Sequence, residues 1–166
     1  MDNYLMLDGK KYELSPELAY ALRSCVEPEP EKKSPFERKE DEIFFYIGHN
    51  GFVRQTFDKS YVEDNEKYAV ANYCTDKSLM EQRAMHETLN RLLWRYSEEH
   101  GGDSKPWDNH HQHWCIGFKE SNEPGVFRAQ FNPYFGCVYF SKGETAQAAI
   151  EEIVKPFLAA HPDFVW

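Results

Sequence analysis

One pattern constrains this chain more than any other: it repeats itself. Residues 44–57 read "FFYIGHNGFVRQTF" and residues 113–131 read "HWCIGFKESNEPGVFRAQF". Both run Ile-Gly, a turn, Gly, two apolar residues, Arg, two more residues and Phe. The spacing aligns Ile47 with Ile116, Gly51 with Gly125, Arg54 with Arg128 and Phe57 with Phe131. Each stretch predicts a hairpin, an aromatic-rich strand turning through Gly into a second strand. Behind each comes a strand that runs into a helix. Tyr73 aligns with Tyr139 and Thr75 with Ser141. The helix patterns follow. Met85, Leu89, Leu92, Leu93 and Tyr96 share one helical face, as do Ala146, Ala149, Ile150, Ile153, Val154, Phe157 and Leu158.

The expected class is therefore α+β: duplicated βββα units forming antiparallel sheet with helices on one face, preceded by a small ββα piece. The N-terminal piece, 1–25, has apolar runs on either side of Asp8-Gly9, a hairpin turn in which both residues take φ > 0. Ser15-Pro16 reads as N-cap and first helical residue. Residues 26–42 hold three prolines and many charges, and predict an exposed, acidic, Pro-rich linker. The body is 43–166, divided into 43–102 and 108–166. His100-Gly101-Gly102 marks the end of the first body helix. Ser141 with Glu144 fits a capping box for the second, and Pro156 should kink or shorten it.

At 166 residues the chain can bury a core of its own. Its 28 acids against 19 bases give a net charge of −9, which speaks against simple coating of DNA or RNA and suits solubility or a basic protein partner. Four cysteines make no CxxC pair, the N-terminal stretch lacks a basic and apolar leader pattern, and no apolar run reaches about 20 residues. A cytoplasmic chain with reduced thiols, away from membranes, is expected.

The chemistry-bearing candidates are few. In "DNHHQHWCIGF" strand alternation would place His111, His113 and Cys115 on one face, with Asp108 or a distant residue as a fourth zinc ligand. The aligned strand of the first half carries Phe45 and Tyr46 instead, so a polar loop feeding a plain strand is the favoured reading. "HETLN" (86–90) lacks the second histidine of a zincin helix. No GxSxG elbow, Walker loop or GxGxxG occurs. Cys74 and Cys137 fall inside strand patterns as small hydrophobes. No enzyme and no cofactor are expected.

Two binding surfaces remain. Arg83, Arg91 and Arg95 cluster on the first body helix beside Trp94 and could touch phosphate, with Trp107 and Trp114 stacking on bases. Glu87 and Glu98 could equally pair with them. The acidic stretches "EPEPE" and "YVEDNE" present Glu27, Glu29, Glu31, Glu63, Asp64 and Glu66 on expected exposed loops, where they could compete for a basic groove on a partner.

Over 33–166, "KKSPFERKEDEIFFYIGHNGFV", "YAVANYCTDKSLMEQRAMHETLNRLLWRYSEEHGG" and "VYFSKGETAQAAIEEIVKPFLAAHPDFVW" resemble a group of small, uncharacterised phage and prophage proteins of gut Firmicutes. In that group a "YYI…G" hairpin, an "ANYF" step and a terminal "VYFS…A…AIEE" step recur. The resemblance implies a phage or mobile-element origin and, by association, kinship in role with type II anti-CRISPR proteins, inhibitors of Cas9. It carries no catalytic residues. The resulting expectation is a non-enzymatic protein in the bacterial host cytoplasm that binds and inhibits a defence nuclease, most of all a Cas9–guide complex. Arg91, Arg95 and the acidic loops would make its contacts, including any to nucleic acid in that complex. The alternatives are a DNA- or RNA-associated phage regulator and a zinc-binding protein or hydrolase.

Overall fold

The Asp8-Gly9 turn does what its residues require. Asp8 (φ 49°) and Gly9 (φ 75°) both adopt the left-handed region and join strand β1 (Tyr4–Leu7) to β2 (Lys10–Glu13) in antiparallel register, Leu7 opposite Lys10. Helix α1 (Pro16–Val26) follows, and the Ser15 hydroxyl accepts from the Leu18 N–H at 3.2 Å, so serine caps and proline opens the helix as the sequence suggests. The computed structural model describes residues 4–26, 34–108, 110–129 and 131–166. It divides into two units, Met1–Glu37 and Arg38–Trp166, and the second carries most of the chain.

The second unit opens earlier than the expected linker end. Arg38 belongs to it, because its guanidinium fork meets a buried carboxylate. Nε donates to Asp58 Oδ2 at 2.5 Å, Nη2 to Asp58 Oδ1 at 2.7 Å, and Nη1 to Asn65 Oδ1 at 2.5 Å. Residues 27–33 of the expected linker lie outside the described residues.

Strands β3 (Ile43–Ile47) and β4 (Val53–Phe57) pair antiparallel, Ile47 opposite Val53 and Tyr46 opposite Arg54. The third strand expected at "ANYC" is a correction. It shrinks to one bridge, Phe45 to Cys74. Ala71 sits at φ 55°, which breaks an extended run. Next to it, the Asn72 side chain takes the place of a strand backbone. Its Oδ1 accepts from Ile47 N–H at 2.8 Å and its Nδ2 donates to Ile47 O at 2.9 Å. The stretch "YVEDNE" also differs: it is not a loop but part of helix α2 (Val62–Ala69), with acids in the first turn and Lys67 in the last, as the helix dipole favours.

Helix α3 (Lys77–Glu99) is capped by Asp76, whose carboxylate accepts from Leu79 N–H at 3.1 Å. It ends where the glycines predict, with Gly102 N–H donating to Ser97 O at 2.8 Å. Strand β5 (His113–Phe118) then lies between β6 (Pro124–Ala129) and β7 (Tyr139–Phe140), both antiparallel to it. Trp114 faces Arg128 on one side and Phe140 on the other.

The final helix begins at α4 (Gly143–Ala149), passes through a π turn (Ile150–Val154) and ends in α5 (Lys155–Ala160). The Ser141–Glu144 capping box is absent. Lys142 occupies the N-cap without a side-chain bond, one residue later than the motif needs. Pro156 neither ends nor shortens the helix. It lacks a donor N–H, and the wider turn before it closes through Lys155 N–H to Ile150 O, so the loss is absorbed as a π turn.

The main core lies between α3, the final helix and one face of the β5 sheet. Leu89, Leu93 and Tyr96 meet Ala146, Ile150, Val154 and Phe157 there, with Phe140, Trp114, Ile116 and Val126 from the sheet. Both predicted helical stripes supply it. The first hairpin packs Phe44 on Tyr73, ring centroids 4.3 Å apart, beside buried Cys74 and Met80. The fold is mixed α+β with antiparallel sheet pairing throughout the described residues. No helix among those residues is long and apolar enough to cross a membrane.

Candidate functional site

Alternation along β5 separates two faces. Trp114, Ile116 and Phe118 point one way and His113, Cys115 and Gly117 the other. Trp114 and Ile116 join the helical core, and Phe118 meets the Trp166 ring. The second is covered at its His113 end by the loop from α3. Asp103 and Trp107 enclose His113, which is fully buried. Its Nδ1 lies 2.6 Å from Asp103 Oδ2 and its Nε2 3.2 Å from the Pro106 carbonyl, so a proton on either nitrogen finds an acceptor. The Trp107 ring stacks on it at 3.7 Å and 10°, and Tyr139 meets Trp107 edge-on at 4.8 Å. The histidine is thus a packed strut of the fold.

The zinc set does not assemble. The strand starts at His113, so alternation never reaches His111. That residue sits before the strand, half-exposed, with Nδ1 2.8 Å from Asp108 Oδ1. The same Asp108 oxygen accepts from the His110 and His111 N–H groups, and these bonds, His110's first, hold its carboxyl below the usual range. Burial pushes the Cys115 thiol up, away from the thiolate a metal needs. Among the described residues no three His, Cys, Asp or Glu side chains gather in a way that could hold a metal ion. Cys74 is buried as expected, and burial raises its thiol too. Cys137 is a correction. It is exposed, because β7 begins only at Tyr139.

The acidic candidates part company. Glu27, Glu29 and Glu31 lie outside the described residues. Glu63 and Glu66 are exposed on α2. Asp64 is not available: it is buried, and Oδ2 accepts from Lys59 N–H at 3.0 Å and Tyr61 N–H at 3.3 Å, closing the start of α2. Arg91 and Arg95 are exposed, each one helical turn from a glutamate. Arg91 lies 3.7 Å from Glu87, and Arg95 lies 3.9 Å from Glu99 rather than Glu98. Arg83 is held by Glu87 at 2.9 Å and by the Ala71 carbonyl. The arginines are therefore flanked by acids on their own helix, which blunts them as a phosphate surface.

With Arg95 turned to Glu99, Glu98 makes no ion pair among the described residues. It borders an open cavity of about 340 Å³ between the second half of α3 and the Gly136–Tyr139 segment, lined also by Trp94, Asp103 and Cys137. Trp94 lines this opening, and Tyr134 and Phe135 directly precede its Gly136 edge in the chain. Trp94 is 60 % exposed, Tyr134 64 %, and Phe135 fully so. A larger cavity of about 720 Å³ lies between the β3–β4 turn, the first half of α3 and the end of α5, with exposed Phe52 on its wall. Asp103 carries no motif in the sequence. Its only signal is a position just after a glycine helix stop and ten residues before a strand histidine.

Comparison with known proteins finds no matching family model, no matching curated protein and no matching solved structure.

Proposed function

We propose that this chain is a non-catalytic binding protein whose partner presents a basic surface, and that the partner is a bacterial defence nuclease, first among them a Cas9–guide complex. The observation that supports the reading is the surface around the α3–β7 cavity. Exposed Trp94 and Glu98 line it together, and exposed Tyr134 and Phe135 directly precede its Gly136 edge in the chain, on a protein of net charge −9. Exposed aromatics beside carboxylates suit a protein interface, where aromatic anchors supply affinity and charge supplies steering. A nuclease with a basic channel for its guide–target duplex offers the complementary charge. The exposed acids Glu63 and Glu66 on α2 add to the same field.

The two body halves are read as copies of one βββα unit. The bridge Phe45–Cys74 and the pair Trp114–Phe140 occupy corresponding places under the sequence alignment, which supports that reading. The second-strand positions do not follow it, since Arg54 faces Tyr46 while Phe127 faces Cys115. A phage origin fits this role and rests on the sequence resemblance alone.

The test is DNA cleavage by a purified Cas9–guide complex titrated with this protein, with co-elution followed on a sizing column. Stoichiometric inhibition with co-elution supports the proposal. Full cleavage at excess protein, with separate elution, overturns it for that nuclease. Inhibition without co-elution, with retention of DNA instead, would favour the nucleic-acid reading and the arginine face of α3.

A further inference from the structure

We propose that the cavity between α3 and the Gly136–Tyr139 segment is a seat for a guanidinium group, the side chain of an arginine on the partner. This rests on the partner-binding reading and adds the chemistry of the contact.

Asp103 points to a ligand. Its side chain is only 3 % exposed and lines the cavity. One oxygen, Oδ2, is taken by His113. The other, Oδ1, is buried with no partner. Folded proteins rarely leave a buried carboxylate oxygen unpaired, since it has lost water and gained nothing. The other polar groups of the cavity are already used. Ser97 Oγ donates to Tyr139 O at 2.5 Å, and Asn90 Nδ2 donates to Gly136 O at 3.2 Å. Neither can turn to Asp103 without breaking its own bond.

Glu98 brings a second carboxylate to the same place. A Cβ placed on Gly102, the residue before Asp103, would lie 3.2 Å from Glu98 Oε2, so this side chain folds back over the end of the helix. No Lys or Arg lines the cavity. Two carboxylate residues thus line one cavity that holds no Lys or Arg, which suits a cationic ligand. The wall also selects which cation. A divalent metal wants six or more oxygens, and here the amide of Asn90 and the hydroxyls of Ser97 and Tyr139 are already bonded within the chain, which leaves two carboxylates. An ammonium is a compact point charge. A guanidinium is planar, forked and weakly hydrated. It can give one edge to the carboxylates and stack its face on the exposed Trp94 indole.

The experiment is a titration of the full ¹⁵N-labelled chain with N-acetyl-arginine methylamide, followed by NMR, beside the matching lysine compound. Saturable shifts are expected at the Trp94 indole N–H and at the Glu98 and Asp103 amides. The Trp114 and Trp166 indoles should stay still. Glu98→Gln should weaken binding about threefold, the range of an exposed ion pair. Asp103→Asn should weaken it roughly tenfold, as for a hydrogen bond to a charged group. Because Asp103 also holds His113, Trp94→Ala serves as a third variant read at the Glu98 amide, and Glu151→Gln, on the final helix, as an unaffected control. Shifts that never saturate, or equal affinity in Glu98→Gln and Trp94→Ala, would overturn the seat. Equal binding of the lysine compound would overturn the choice of guanidinium. Saturable arginine binding without nuclease inhibition would keep the seat and remove the nuclease reading. Inhibition without arginine binding would do the reverse.

Discussion

Each body hairpin leans on one buried acid, and the two acids are treated differently. At the end of β4, Asp58 is saturated. Arg38 grips both its oxygens and the Ser60 N–H donates to Oδ1 at 2.8 Å. At the start of β5, Asp103 gives one oxygen to His113 and keeps the other unpaired. Both sites tie a chain segment preceding a hairpin to that hairpin. A saturated acid is a staple and can do nothing more. A half-saturated acid facing a cavity holds the same chain together and retains capacity for one more donor. Buried polar pairs of similar composition can therefore differ in role, and the count of unfilled bonds tells them apart.

The strongest way to challenge this contrast is at the staple. Asp58→Asn should lower unfolding free energy by about 3 kcal/mol in urea, because it leaves the Arg38 fork without its charge partner. The pH dependence has a definite sign. The Arg38 hydrogen bonds hold the Asp58 carboxyl below its usual range. Its stabilisation is thus full above about pH 3.9, the unfolded value, and is lost as pH falls toward the depressed native value. Asp58→Asn should abolish that part of the acid sensitivity; an unchanged acid profile would show that Asp58 is no staple.

A smaller effect is expected at the second site. His113→Gln should cost about 2 kcal/mol, since it strips a buried carboxylate of its donor. It should also change the near-ultraviolet circular dichroism, because Trp107 loses its stacking partner. A variant as stable as the parent would contradict the strut role of His113. Next comes Asn72→Ala. Its side-chain amide replaces two backbone bonds of a missing strand, so a loss of about 1 kcal/mol is predicted by urea titration, and none would mean that the mimicry is idle. Smallest in stability is Glu98→Gln, an exposed change that should stay within about 0.5 kcal/mol of wild type. If it destabilises as much as Asp58→Asn, Glu98 belongs to the fold and not to a surface for partners.

What was legible in the sequence was local. Asp8-Gly9, Ser15-Pro16 and Gly101-Gly102 each carry a turn or cap whose geometry depends on the residues themselves, and all three form as read. The apolar stripes of the two long helices were legible for the same reason, since periodicity is a property of one segment. What escaped depends on distant partners. Arg38 looked like linker because Asp58 is twenty residues away. Asp64 looked like free acid because its side chain closes its own helix start, and residues 62–69 lack a strong apolar stripe. "ANYC" has strand-like residues, yet Ala71 turns and Asn72 completes the pairing by side chain. His113 was singled out for the wrong chemistry. Its neighbours in sequence suggested a metal, while its partners in space are Asp103, Pro106 and Trp107. The cavity acids, Glu98 and Asp103, line one opening only because the helix stops between them.

The most direct test of a charged, aromatic partner surface is the salt dependence of binding to a purified Cas9–guide complex, wild type beside Glu98→Gln. A basic partner met by an acidic surface predicts a complex at low salt that weakens as ionic strength rises, and a weaker complex for Glu98→Gln throughout. No complex at any salt, or a complex indifferent to both salt and Glu98, would contradict it.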